Sequence, residues 1–263
     1  MPADTAFQLI LPESFSKFVT LNHFIDYFSI LMLYIRYLHP KYSMLFYIQA
    51  MNRLLYQSKQ NYLTTDYLLN LFKNYKAPRD KIKNSVKSGD LIHIKNGLYI
   101  LGDVYDRQIS KEVVSGLIYG PSAISFEYAM AFHNLIPEKV TQITCICFKR
   151  NKYFNTPIGR FSYKYISQSK YSPGIQYHET PLGNFFIASP EKALCDTIYF
   201  NNLITSHNIH EYITEDLRID QEELKKLNMA LLVQLVTTYK RNRVISFMQY
   251  VANIQKSAGD QHA

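Results

Sequence analysis

YLTTDYLLNLFKNYKAPRDKIKNSVKSGDLIHIKNGLYIL, residues 62–101, decides how this chain is read, because it orders helix, turn, basic helix and tight hairpin. Thr64 or Thr65 can accept a hydrogen bond from the free amides of a first helical turn, and Tyr67, Leu68, Leu71 and Phe72 then share one helical face. NYKAP breaks this helix. Pro78 has no amide to donate and is tolerated in a first turn, so a second helix opens there and runs over residues 78–88. Within it Ile82 and Val86 turn inward, which leaves Arg79, Lys83, Asn84 and Lys87 on the outer side and Lys81 on a flank. Gly89 closes the helix. Two short apolar runs, residues 91–95 and 98–101, follow; Asn96-Gly97 between them is the dipeptide that most readily takes the two positive φ angles of a type I′ turn. This is the order of a winged helix-turn-helix. Residues 53–101 hold nine Lys/Arg against three Asp/Glu, so the positive charge falls on the two elements that meet DNA in such a motif.

The whole composition is compatible with that reading. A chain of 263 residues suffices for one large domain or two small ones, and 47% hydrophobic residues is ordinary for a soluble globular protein. A formal net charge of +8 favours an acidic partner such as nucleic acid, without implying specificity. The three cysteines, Cys145, Cys147 and Cys195, have neither zinc-site nor disulfide-framework spacing, which points to a reducing, cytoplasmic interior. Cys145 and Cys147 lie two apart in an apolar strand and are expected to face the same way as small buried hydrophobes, not as metal ligands.

Residues 1–50 fit least well. Residues 24–48 are strongly apolar and aromatic, yet the longest uncharged run within them, residues 27–35 between Asp26 and Arg36, is far short of the ~20 residues that span a bilayer, and no signal-peptide pattern is present. Met51 begins a sensible first helix for the winged domain. The segment is therefore either a mis-assigned extension, with translation starting at Met51, or an extra aromatic helix packing on the body or on a second subunit.

Beyond the hairpin, residues 107–119 place Ile109, Val113 and Leu117 on one stripe of a core helix, and Ser125 can cap a further helix that stops before Pro137. The period then changes to that of strands, over residues 142–148, 160–166, 175–179 and 185–188, with turns at 157–159 and 181–184. Ser189-Pro190 opens another helix, and everything beyond Asn201 reads as helical. The expectation is an α+β fold: a winged helix-turn-helix domain over residues 51–103, then a mixed domain over 104–256 with a small, mainly antiparallel sheet and a helical C-terminal region, and a disordered tail over 257–263.

The segments GPSAISFEYAMAFHNLIPE, TQITCICFKRNKYFNTPIGRFSYKYIS and FIASPEKALCDTIYF, in that order after the winged motif, resemble the AbiEi family of antitoxins and transcriptional regulators from type IV toxin–antitoxin, or abortive infection, systems. The resemblance runs from about residue 52 to about residue 200. It includes the Gly-Pro-Ser and Ser-x-Glu sequence before and into the helix at Phe126, the TP-x-G-x-F turn and strand, and the S-P-E-K-A-x-x-D helix of residues 189–196. It implies a cytoplasmic antitoxin, encoded beside a nucleotidyltransferase-like toxin. The winged domain would bind repeats in double-stranded promoter DNA as an autorepressor, and the C-terminal part would counter the toxin without a stable complex.

On residues alone, Arg79 and Lys83 are one turn apart on the outer face and suited to guanine, each good bidentate contact discriminating by ~1–3 kcal/mol, while Asn84 suits adenine. Lys81, Lys87 and Lys95 are assigned to phosphates, with Asn96 at the wing tip, and Asp80 departs from the pattern by repelling phosphate. A single winged domain reads a short half-site, so dimerisation or cooperative assembly on DNA is expected. A second basic cluster, Lys149, Arg150, Lys152, Arg160, Lys164 and Lys170, interleaves with Tyr153, Phe154, Tyr163 and Tyr165; it is either a nucleic-acid or antitoxin surface or a solvated sheet face. No catalytic motif, metal site or cofactor is expected. His133, His178-Glu179, Glu191 and Asp196 read as structural, Asp196 as a helix partner to a nearby Lys or Tyr. The competing readings are a ligand-responsive regulator without a toxin, and an RNA-binding or nucleic-acid-modifying protein with an appended winged helix.

Overall fold

Thr64 sets where the first helix of the 62–101 stretch begins: its hydroxyl accepts from the Tyr67 amide at 3.2 Å and satisfies one of the free first-turn donors. The structure, a computed structural model, describes residues 52–259, so the expectations for residues 1–50 lie outside it. By contact the chain divides into residues 1–57 and 58–263. The described part of the first unit holds helix α1, Arg53–Tyr56, capped by the Asn52 side chain.

In the second unit, strand β1 (Tyr62–Thr64) leads into α2 (Thr65–Leu71), then α3 (Pro78–Lys87), β2 (Leu91–Lys95) and β3 (Leu98–Leu101). The three strands form an antiparallel sheet in the order β1-β3-β2. Leu63, Leu68, Phe72, Ile82, Leu91 and Ile100 are buried, each contributing ~1.5–3 kcal/mol of apolar burial. Ser85 also faces inward, whereas Val86 is only partly buried. The hairpin turn differs from expectation. Only Gly97 has a positive φ, 84°, and the β2–β3 pairing shifts register between His93 and Lys95. One left-handed glycine plus a bulge thus replaces the two positive φ angles of a type I′ turn, and a bulge re-aims the side chains beside it. At the other end of the hairpin Gly102 donates to Asp90 O at 2.9 Å, and a Cβ on Gly102 would lie 1.8 Å from the Gly89 carbonyl oxygen. Only glycine lets the two backbones approach so closely.

The rest of the unit is an α+β arrangement on a mixed six-stranded sheet. Its strands are β4 (Ser122–Ile124), β5 (Ile143–Cys147), β6 (Lys152–Thr156), β7 (Gly159–Tyr165), β8 (Ile175–Thr180) and β9 (Gly183–Ala188), in the order β6-β7-β5-β4-β9-β8. The pairs β5·β7 and β4·β9 are parallel and the other three antiparallel, so the sheet is larger and more mixed than the four-stranded, mainly antiparallel sheet expected. Strands β4 and β6 escaped the sequence reading: β4 is three residues long and wholly buried, and β6 is mostly polar and exposed.

Helix α4 (Lys111–Ile118), capped by Ser110, packs across β4, β5 and β9 on one face, where the buried Tyr163 donates to Ser115 O at 2.6 Å. Cys145 is buried on that side too, and burial pushes its thiol up to about 12, the behaviour expected of a small core hydrophobe. Helices α5 (Phe126–Phe132) and α7 (Pro190–Phe200) cover the opposite face. The short α6 (Gln168–Tyr171) lies between them in sequence. Then come α8 (Ile209–Glu211), a π-helical turn (Tyr212–Asp216), α9 (Gln221–Lys225), α10 (Met229–Tyr239) and α11 (Asn242–Gly259), with α10 and α11 packed on α7. Helix α11 runs through Gly259, into the stretch read as a tail. None of the described helices is long and apolar enough to cross a membrane.

Ser125 does not cap α5. Its hydroxyl donates to Asp196 Oδ2 at 2.6 Å, a charge-assisted bond to a buried carboxylate, and accepts from no amide of the helix. Asp196 Oδ1 receives Lys192 Nζ at 2.7 Å and the Tyr239 hydroxyl, and both charged side chains are fully buried. Asp196 is thus partnered by a lysine one turn back on its own helix and by a tyrosine of α10. Removing one member of such a pair strands the other charge, so Asp196→Ala is expected to lose about 3–5 kcal/mol of stability. The joint replacement Lys192→Met with Asp196→Leu is expected to cost far less than the two single changes added, which urea unfolding of the three variants will measure.

Candidate nucleic-acid interface

Helix α3 packs on α2 and β2 through Ile82 and Ser85. The side chains of Arg79, Lys83, Asn84 and Lys87 are exposed, as the helical period requires once Ile82 faces inward. Asp80 and Lys83 form a loose ion pair at 3.8 Å with side chains 68% and 75% exposed, worth little in water. Lys81 is different: its ammonium sits 5.6 Å from the Tyr75 ring and 6.0 Å from Phe72, held against the edge-to-face aromatic pair that ends α2. It is anchored on the flank of the outer face.

On the hairpin, Asn96 is exposed at the turn, but Lys95, beside the bulge, points back into the protein. Its Nζ donates to Ile118 O at the C-terminal end of α4. Partial burial, then repulsion from Lys149 and Lys152, lowers its affinity for its proton. Lys149 Nζ donates to Gly120 O at 2.5 Å and lies 5.1 Å from the Tyr119 ring centroid; Lys152 Nζ lies 5.5 Å from the same centroid and 5.4 Å from that of Phe154.

The second basic cluster does not form one surface, because strand alternation divides it. Lys152 pairs opposite Tyr163 and so shares the α4 face of the sheet. Arg160 and Lys164 alternate with Phe161 and Tyr163 and so share the other face, where Lys164 Nζ lies 4.4 Å from the Phe126 ring and 5.4 Å from Phe200. Lys170 likewise sits 5.8 Å from the Tyr199 ring. Arg150 is exposed in the β5–β6 connection. Tyr153 and Tyr165, both about half exposed, also fall on opposite faces by the same alternation. The geometry thus joins Lys95 to Lys149 and Lys152, across 54 residues of sequence, and separates those from Arg160 and Lys164. Tyr119, the ring that gathers Lys149 and Lys152, was missed, since nothing local in sequence links the end of an apolar helix to a distant loop.

An open cavity of about 430 Å³ lies between the start of α4, α5 and the β8–β9 turn, lined by Ser110, Glu112, Phe132, His178, Leu182 and Phe185. His178 stacks on Phe185 with ring centroids 5.3 Å apart, and His133 Nε2 lies 2.9 Å from Ala188 O. Glu191 receives Ser189 Oγ at 2.8 Å and the Asn228 amide at 2.7 Å. Among the described residues no group of three or more His, Cys, Asp or Glu is arranged to hold a metal ion.

No protein-family model matches the sequence. No curated protein matches it at a significant level. Among solved structures, the chain is similar to the one described as the crystal structure of JHP933 from Helicobacter pylori, at 11% identity and a TM-score of 0.30, over 59% of this chain and 97% of that one.

Glu112 gives the cavity wall a pH signature. Burial works against its carboxylate, but hydrogen bonds from the Ser110 hydroxyl, at 2.6 Å, and from Tyr128 outweigh it, and the group is held below its ordinary value of 4.5. A depressed carboxyl contributes stability above its unfolded value and loses it as pH falls through the lower folded value. Glu112→Gln is expected to cost about 1 kcal/mol at neutral pH, allowing for half exposure, and the gap from wild type should close on acidification below about pH 4. Thermal unfolding of both proteins from neutral pH down to about pH 3 checks this.

Proposed function

We propose that residues 62–101 are a winged helix-turn-helix, α3 its reading helix and the β2–β3 hairpin its wing, and that the chain binds double-stranded promoter DNA through it. The observation that carries this reading is the outer face of α3. Four polar or cationic side chains, Arg79, Lys83, Asn84 and Lys87, are exposed together on a helix whose other face is locked onto α2 and β2. Arg79 and Lys83 read guanine edges, Asn84 reads adenine, and Lys87 with Asn96 meets the backbone. Lys81 and Lys95 serve that interface from its flanks.

The wider role we infer is that of an antitoxin and autorepressor of a type IV toxin–antitoxin operon. It rests on the resemblance to AbiEi proteins. Residues 51–103 bind promoter repeats, as a dimer or cooperatively, and residues 104–256 counter a nucleotidyltransferase-like toxin in the cytoplasm without a stable complex. No catalytic role is assigned to the chain.

The cavity beside Glu112 and His178 favours a second reading, a ligand-responsive regulator without a toxin partner, because an aromatic-walled cleft with one carboxylate suits a small cationic ligand.

The test is binding of the full chain, at about 0.15 M salt where non-specific affinity is weak, to the DNA upstream of its gene and to a shuffled duplex of the same composition. Wild type should prefer the native fragment. Arg79→Ala and Lys83→Ala should each cost ~1–3 kcal/mol of that preference. Equal binding of wild type to both fragments would sink the reading-helix assignment.

A further inference from the structure

The end of α4 holds more positive charge than a helix terminus can use. A helix C-terminus is equivalent to roughly half a negative elementary charge, and one or two lysines complement it well. Here three ammonium groups converge. Lys95 from the wing strand donates to Ile118 O, Lys149 from the β5–β6 connection donates to Gly120 O, and Lys152 from β6 shares the Tyr119 ring with Lys149. None of the three forms an ion pair with a carboxylate in the described structure. Two of them keep fixed carbonyl partners and the third rests on a ring, so the ammonium groups are held near one another instead of swinging apart into solvent. The remaining charge calls for an anion.

We propose that Lys95, Lys149 and Lys152, arranged over Tyr119 and the end of α4, form a phosphodiester-binding site. It takes the backbone of the DNA flanking the segment read by α3. This rests on the winged-helix reading above and extends it: the contact surface continues from the wing onto the six-stranded sheet. The Asn96-Gly97 turn follows Lys95 directly, so DNA backbone that passes the wing tip meets this cluster next. The lowered proton affinity of Lys95, caused by burial and then by Lys149 and Lys152, agrees with charges held close enough to repel. A phosphate placed among them relieves that repulsion. The site adds affinity and salt dependence and no sequence discrimination.

The experiment measures how the affinity of the full chain for the native and shuffled duplexes falls with salt, for wild type, Lys149→Gln/Lys152→Gln and Lys149→Arg/Lys152→Arg. Circular dichroism and melting temperature confirm that each variant is folded. Each lost phosphate contact lowers the slope of log affinity against log salt by about 0.9, so the glutamine pair should lower it by about 2 on both duplexes, leave the native-to-shuffled ratio unchanged, and be rescued by the arginine pair. A slope that does not move would leave the lysines as helix-end caps and overturn the proposal. So would micromolar binding of inorganic phosphate or a mononucleotide that the glutamine pair abolishes while the DNA slope stands, since the cluster would then serve a soluble phosphate compound. The slope is readable on the shuffled duplex whether or not wild type prefers the native one, so this site and the reading helix can fail separately.

Discussion

The Asp196 carboxylate is sealed from water, and three layers of the fold send it a donor: Ser125 from the junction of β4 and α5, Lys192 from its own helix, and Tyr239 from α10. A buried charge without partners costs several kcal/mol, so each of these elements must stand where its donor reaches the carboxylate. The network acts on the backbone as well. Phe126 holds a φ of 58°, a left-handed conformation that costs a bulky residue on the order of 1–3 kcal/mol. It persists because Ser125 is fixed twice, its amide donating to Thr144 O at 2.9 Å and its hydroxyl to Asp196. Burial first, then the Asp196 charge, pushes the Tyr239 hydroxyl well above its ordinary range, so it stays a donor at any physiological pH.

With that face of the sheet committed to its helices, the link to the small β1-β3-β2 sheet runs through α4. At the start of α4 the Ser110 amide donates to the Tyr62 hydroxyl of β1 at 2.9 Å, and just before it the Gln108 carbonyl accepts from Asn61 at 3.2 Å. At its end Lys95 of β2 donates to Ile118 O. A three-stranded sheet pinned to one helix at both of that helix's ends, through β1 at the start and β2 at the end, has little freedom to rock, and α4 itself lies across three strands. The orientation of α3 relative to the larger sheet is thereby set through packed contacts and not by a flexible linker.

Much of this was legible in the sequence wherever one local rule decided the outcome. Thr64, Pro78 and Ser189-Pro190 mark helix starts through caps and first-turn prolines, and the period of Ile82 assigns the outer face of α3. Strands β5, β7, β8 and β9 show in their alternation or apolarity to within two residues. What stayed hidden depended on partners far away in the chain. Strands β1 and β4, three residues each, are too short for any period to register. Ser125 obeys every local rule for a cap, yet it accepts from no amide of α5 and donates to a carboxylate 71 residues away. The basic cluster looked continuous because charge was counted along the chain, whereas the pairing of β6 with β7 deals its members to opposite faces.

The contrast between the two cationic regions follows from how their charges are held. On α3, among the described residues Lys83 is paired only with Asp80, at 3.8 Å, a contact worth no more than ~1 kcal/mol, so on the proposed reading it can exchange that partner for a base edge at small cost. Asp80, odd in a helix proposed to face phosphate, then has a use: it holds Lys83 near its working position and yields it readily. At the end of α4 the reverse holds, because Lys95 and Lys149 are fixed by carbonyls that they do not have to leave when an anion arrives. A side chain that must choose among bases benefits from freedom to reorient, while one that meets an invariant phosphate benefits from being held in place before binding, since little ordering entropy is then lost. The loose pair on α3 and the pinned lysines beside the β2–β3 hairpin are thus each suited to one of the two tasks that the proposed DNA binding would set.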